Sequence, residues 1–203
     1  PRWIMQGYVT MAYEAVAQLN GDTPTHVFLQ AGVGSMAGAV AGFLANYYGS
    51  DKPKIIIVEP NKANCIFRTA AAADNNLHFV KGKLDTLMAG LACGEPNRIA
   101  WDVLQETAEY ALSCPDWVAA KGMRILAAPL GNDRKVVSGE SGAVTTGLVA
   151  QIMTDPALAW IKDELEIDKS SKILCFSTEG DTDRENYRRI VWDGDYPSIK
   201  IKY

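Results

Sequence analysis

Residues 26–38 read HVFLQAGVGSMAG. Val27, Phe28 and Leu29 form a short apolar run of the kind that makes a buried strand. Ala31, Gly32, Val33, Gly34 and Ser35 follow with little side-chain bulk, so successive backbone N–H groups come close together. An Ala/Gly-rich segment then opens a helix. A small-residue loop ending on a helix N-terminus is a seat for a phosphate, because orphan N–H groups and the positive end of the helix dipole point at it. The pattern is not a P-loop, which ends in Gly-Lys-Ser/Thr, nor a complete G-x-G-x-x-G fingerprint. On these residues alone two readings stand: a phosphate-binding turn, or a turn built of small residues so that strand and helix pack closely.

Outward from this stretch, strand and helix signals alternate. Residues 54–59, KIIIVE, are an uninterrupted apolar run, which implies burial on both faces, as in a parallel sheet. Upstream, apolar spacing predicts a helix over 4–19, stopped by Asn20-Gly21. Downstream of the loop a helix is predicted over 36–48, with Gly38, Ala41, Gly42 and Ala45 on nearby turns. Pro60-Asn61 breaks the second strand, a helix follows over 62–73, and Leu77–Val80 reads as a short third strand. The helical repeat then runs over 97–114, and Pro115-Asp116 starts a further helix to about 130. A polar loop over 132–140 leads into a helix from Glu140 to about 153. Pro156 restarts helix to Leu165, residues 172–176 are a last buried strand, and 184–192 a short helix. The final ten residues read as an extended tail. Such alternation predicts an α/β layered fold: a mostly parallel sheet flanked by helices. No repeat, linker or domain boundary divides residues 1–203, which read as a single α/β region.

Composition narrows the function classes. The chain of 203 residues is 48% hydrophobic and 22% charged, with net charge −4. No basic stripe exists, which argues against nucleic acid as a partner. No apolar run reaches membrane-spanning length, and PRWIMQGY has no signal-peptide core, so the expected location is cytoplasmic. The four cysteines (65, 93, 114 and 175) contain no C-x-x-C pair, and the two histidines are His26 and His78, so no metal site is expected. Free thiols acting as small hydrophobes are the expectation, with the pairing of Cys65 or Cys93 left open.

Four segments, in order, resemble the fold-type II pyridoxal-phosphate (PLP) enzymes, the tryptophan synthase β-like family: AGVGSMAG at 31–38, VEP at 58–60, SGESGAV at 138–144 and CFSTEGDTD at 175–183. WIMQGYVTMAYEA, TLMAGLACGEPN and FSTEGDTD resemble more narrowly the ammonia-lyases of this family that cleave 2,3-diaminopropionate. The resemblance implies the large-domain fold of these enzymes and a PLP-dependent α,β-elimination yielding pyruvate and ammonia. It implies a small amino-acid substrate and a homodimer. Ala31, Gly32, Val33, Gly34 and Ser35 would hold the cofactor phosphate. Ser177 or the neighbouring Thr178 would present a neutral hydroxyl to the pyridine nitrogen. Glu140 would either cap its own helix or face the ring edge. Glu59, Asp85, Asp181 and Asp183 have structural readings: a strand end, a solvated loop, and two turn carboxylates that alternatively hold a cation.

A PLP lyase also needs a lysine for covalent attachment. In this family it lies well before the glycine loop, and here no lysine occurs before Lys52. The chain therefore resembles the C-terminal part of a longer two-domain enzyme, expected to be inactive alone and to pair with the missing N-terminal region. Alternatives are a related threonine or serine dehydratase, a phosphate-binding module without chemistry, and a Rossmann-like nucleotide binder with Glu59 as its acidic residue.

Overall fold

The computed structural model describes residues 2–74 and 76–198. Its centre is a four-stranded, all-parallel sheet in the order β3-β2-β1-β4. The strands are β1 (His26–Gln30), β2 (Lys54–Pro60), β3 (Tyr110–Cys114) and β4 (Ile173–Cys175). The helices are α1 (Arg2–Gln18), α2 (Ser35–Tyr48), α3 (Cys65–Ala72), α4 (Arg98–Thr107), α5 (Asp116–Ala127), α6 (Glu140–Thr154), α7 (Ala159–Glu164) and α8 (Arg184–Val191).

The alternation of side chains along β1 and β2 divides the core in two. Val27, Leu29, Ile55 and Ile57 face α1, α2 and α4, where Ala12, Val40, Leu44 and Leu104 complete one layer. Phe28, Ile56 and Val58 face α5 and α6, packing on Val118, Val144, Leu148 and Ile152. Burial on both faces explains why neither strand alternates polar with apolar. Each such Leu, Ile or Phe contributes about 1.5–3 kcal/mol. The two strands run in register from His26 opposite Lys54 to Gln30 opposite Val58. The buried His26 ring is bracketed by the Leu165 carbonyl at Nε2 (2.8 Å) and the Thr25 hydroxyl at Nδ1 (2.7 Å).

α5 and α6 cross at backbone contact. A Cβ on Gly122 would lie 2.0 Å from the Ala143 carbonyl oxygen, and one on Gly147 would lie 2.0 Å from that of Val118. Two glycines therefore set this crossing.

The sequence reading differs from the structure at two places in the middle of the chain. The third strand is not Leu77–Val80, which has no ladder: the Val80 N–H goes to the Gly94 carbonyl and the His78 N–H to the Thr69 hydroxyl. It lies instead inside the span predicted as one helix over 97–114. That helix ends at Thr107, and residues 110–114 pair with β2 from Ile56 to Pro60. Glu109 secures the join, its backbone N–H donating to the Ile55 carbonyl while its carboxylate accepts the Ile55 N–H. Of the predicted C-terminal tail, residues 194–198 are irregular and the remainder lies outside the described residues. All four cysteines are free thiols. No described helix is long and apolar enough to cross a membrane.

Candidate active site

Strand order locates the site. From β1 the chain moves one way to β2 and β3, whereas β4 lies on the other side of β1. Loops leaving β1 and β4 diverge, and a crevice opens at the carboxyl ends of such strands. There, a cavity of about 260 Å³ is lined by residues 30–37, by Gly90, Leu91 and Cys93, by Ser141, and by Thr178 and Glu179. Among the described residues no lysine or arginine lines it. Any anion there is held by backbone N–H groups, hydroxyls and helix dipoles.

Ala31, Gly32, Val33, Gly34 and Ser35 form one wall. Gly34 stands at the N-cap of α2 with φ +89°, a left-handed conformation that glycine adopts without strain, and no side chain caps the helix. Three N–H groups at the start of α2 are thus left to the cavity. Gly32 has no room for a side chain, since a Cβ would sit 3.1 Å from Cys93 Sγ and 3.2 Å from Leu91 Cα. Asn97 supports the loop from behind. Its backbone N–H donates to the Val33 carbonyl (2.8 Å) and its side-chain N–H to Ser35 Oγ (2.8 Å). Since Ser35 Oγ accepts that bond, its proton is free to be donated into the cavity.

A second helix N-terminus, that of α6, reaches the same cavity but is already occupied. The Glu179 carboxylate accepts from the N–H groups of Ser141 (2.5 Å) and Gly142 (3.2 Å). A carboxylate on that end satisfies the dipole and repels a second anion. Of these two helix N-termini, the one at α2 is free of a carboxylate.

Thr178 also lines the cavity, its Oγ1 accepting from Gln30 Nε2 (2.9 Å). Ser177 and Glu140 do not line the cavity. Ser177 Oγ instead bonds Ser138 Oγ (2.8 Å), and Glu140 accepts from Asn186 Nδ2 (2.5 Å), which ties α8 to α6. Glu140 neither faces the cavity nor caps α6, a task that Glu179 performs from the next loop. Glu59 is fully buried beneath α3, where its two oxygens accept the N–H groups of Ile66 (2.9 Å) and Phe67 (2.6 Å). Burial raises its carboxyl to about 8, against the pull of those two hydrogen bonds. It serves a helix end, not a ribose. Asp183 caps α8 through the Asn186 N–H, Asp181 pairs with Arg184, and Asp85 is an exposed loop residue. Among the described residues no cluster of His, Cys, Asp and Glu has metal-site geometry. A further cavity of about 240 Å³ between α3, α4 and β3 is walled by Ile57, Ile66, Trp101 and Leu104 and contains no helix N-terminus.

The model of the family described as "Pyridoxal-phosphate dependent enzyme" matches residues 2–157. The chain belongs to this family. Among curated relatives, the diaminopropionate ammonia-lyase of Escherichia coli (strain K12) is 50% identical over 196 residues, 96% of this chain and 49% of that protein. The diaminopropionate ammonia-lyase of Salmonella typhimurium is 46% identical over 198 residues, with the same coverage. The crystal structure of the Escherichia coli diaminopropionate ammonia lyase in complex with D-serine superposes with a TM-score of 0.90 at 48% identity, covering 97% of this chain and 49% of that one. The chain spans about half the length of the curated relatives it matches.

The cavity of this pyridoxal-phosphate dependent enzyme suits its cofactor. One uncapped helix end with the Ser35 hydroxyl suits one phosphate monoester, and the Thr178 hydroxyl on the same cavity suits a ring heteroatom. Sequence reasoning named the 31–35 wall of this cavity but missed Gln30, Asn97, Glu179 and Ser141. Two signals existed for them. Gln30 is a polar residue closing an apolar strand, and Asn97 is a helix N-cap residue type immediately before a helical repeat.

Proposed function

We propose that this chain supplies the cofactor-binding half of an ammonia-lyase that converts 2,3-diaminopropionate to pyruvate and ammonia by PLP-dependent α,β-elimination. One observation carries the reading: the free N-terminus of α2 and Thr178 line a single cavity, in a chain half identical to diaminopropionate ammonia-lyases. When bound, PLP supplies an electron-withdrawing ring that weakens bonds at the substrate α-carbon. Residues 32–35 and the start of α2 hold its phosphate by N–H donation, and Ser35 adds an O–H. Glu179, seated on α6, keeps the phosphate from the wrong helix end. Thr178, in preference to Ser177, gives the ring nitrogen a neutral partner, since Ser177 is engaged with Ser138 outside the cavity. Among the described residues no lysine lines the cavity, and on this reading the covalent lysine comes from the half of the relatives' length that this chain does not match. A threonine or serine dehydratase is the less supported reading, because the TLMAG and STEGDTD segments line or flank the cavity in a chain matched by diaminopropionate enzymes. We also propose the cytoplasmic location expected from the sequence and, on the family resemblance, a homodimer; fractionation and sedimentation test them.

The test is incubation with PLP, borohydride reduction and intact-mass measurement, on this chain and on the whole protein. A pyridoxyl adduct only in the whole protein, with pyruvate released from diaminopropionate, is expected. A single specific adduct on this chain alone would refute the missing-anchor reading. PLP bound without turnover by the whole protein would favour a binding module.

A further inference from the structure

Gln30 closes β1, directly after the apolar Val27, Phe28 and Leu29, and is 1% exposed. A buried primary amide is costly unless its groups are bonded. Its Nε2 donates to the Phe176 carbonyl (2.8 Å) and to Thr178 Oγ1 (2.9 Å), both on the loop after β4. A carbonyl has no proton to give, so the amide nitrogen, not the oxygen, must face Phe176. That settles which way the amide points and leaves Oε1 buried without a partner among the described residues. For strand packing alone, a methionine of similar length would avoid this penalty.

We infer that Gln30 is a positioning residue: it fixes the polarity of the Thr178 hydroxyl so that the cofactor ring nitrogen stays unprotonated. The inference rests on the PLP reading above. An amide N–H has no lone pair to offer, so the Thr178 oxygen accepts from it. The Thr178 proton then turns away from Gln30, toward the cavity. Accepting one hydrogen bond also makes the O–H a stronger donor. A ring nitrogen meeting that O–H is held as an acceptor. The carboxylate that lines the cavity, Glu179, does not oppose this, because its Oε1 is committed to the N–H groups of Ser141 and Gly142.

The substitution that reverses the bond is Gln30→Glu. Burial keeps the new carboxyl protonated. Its O–H donates to the Phe176 carbonyl, and its C=O accepts from Thr178. The Thr178 lone pairs then face the ring and favour a ring N–H. The experiment is nitrogen-15 NMR of the whole protein loaded with ring-labelled PLP. We expect the wild-type resonance in the unprotonated pyridine range. Gln30→Glu should move it upfield by more than half the pyridine-to-pyridinium separation, and Thr178→Ser should leave it in place. Gln30→Met, which removes both donors, should shift it in the same direction by less. A wild-type resonance already at the protonated position overturns the inference without any variant. So does a loaded Gln30→Glu or Gln30→Met protein with the wild-type resonance. Failure of the wild-type protein to load PLP instead overturns the cofactor reading itself.

Discussion

Asn97 holds Ser35 in a fixed relation: its Nδ2 donates to Ser35 Oγ at 2.8 Å, while its Oδ1 accepts the Ile99 N–H at 3.1 Å. One side chain thus caps α4 and holds the hydroxyl of a cavity-lining residue, which on the proposed reading donates to the phosphate. A hydrogen bond to a charged group is worth about 1.5–3 kcal/mol, so Ser35→Ala should weaken PLP binding by about 10- to 100-fold. Its unfolding midpoint should barely move. Asn97→Ala should lower both affinity and stability, the latter by about 1 kcal/mol through the lost cap. Fluorescence titration with PLP, alongside urea unfolding, separates the two; equal affinity losses with equal stability losses would refute the aiming role.

Glu179 sits on the N–H groups of Ser141 and Gly142. Glu179→Ala should cost about 0.5–2 kcal/mol as a lost cap. It should also create a second anion seat. Calorimetric titration with inorganic phosphate is expected to show one weak site in the wild type and two in the variant. A single site in both would show that Glu179 does not exclude anions from α6.

Glu59 carries a pH dependence whose sign follows from its raised carboxyl. With a folded value of about 8 against an unfolded value near 4.5, the folded state binds the extra proton between these limits. Stability from this group is complete below pH ~4.5 and is lost as pH rises toward and through 8, by about 5 kcal/mol in total. Urea unfolding between pH 5 and pH 9 should show this decline. Glu59→Gln should flatten it while destabilising the protein at pH 5 by about 1–3 kcal/mol, because an amide cannot accept from both Ile66 and Phe67. An unchanged slope in Glu59→Gln would exclude Glu59 as its source.

The glycines of α5 and α6 differ sharply from one in α1. Gly147→Ala puts a methyl 2.0 Å from the Val118 carbonyl oxygen and should cost about 3 kcal/mol or more. A methyl at Gly7, in α1, would meet nothing within 4 Å, so Gly7→Ala should stabilise by about 0.5–1 kcal/mol. Thermal unfolding of both variants reads out opposite signs.

Much of this was visible in the residues. β1 and β2 announce themselves because burial on both faces demands unbroken apolar runs. β3 does not: Ala108, Ala111 and Leu112 fit a helical repeat as well as a half-covered edge strand, and the pairing with β2 decides between them. The cavity-lining loop at 31–35 was legible for a similar reason, since its small residues and the helix start are contiguous. Gln30, Asn97 and Glu179 act through partners 148, 62 and 38 residues away, and no local pattern encodes such pairings. Glu140 illustrates the converse: its position at a helix start suggested a cap, but the loop after β4 delivers another carboxylate there first.

The placement of β4 beside β1 has a consequence for the order of folding. The β1–α2–β2 unit can form from short-range contacts, and with it the N–H groups that receive the phosphate. The other side of the cavity exists only once a strand from the far end of the chain docks, a closure whose entropic cost is borne late. On the proposed reading, a chain in which β4 has not docked is expected to have the anion-binding end of the cavity without Thr178. Ligand that bridges the two binds only after docking, and its binding free energy draws the last strand onto the sheet.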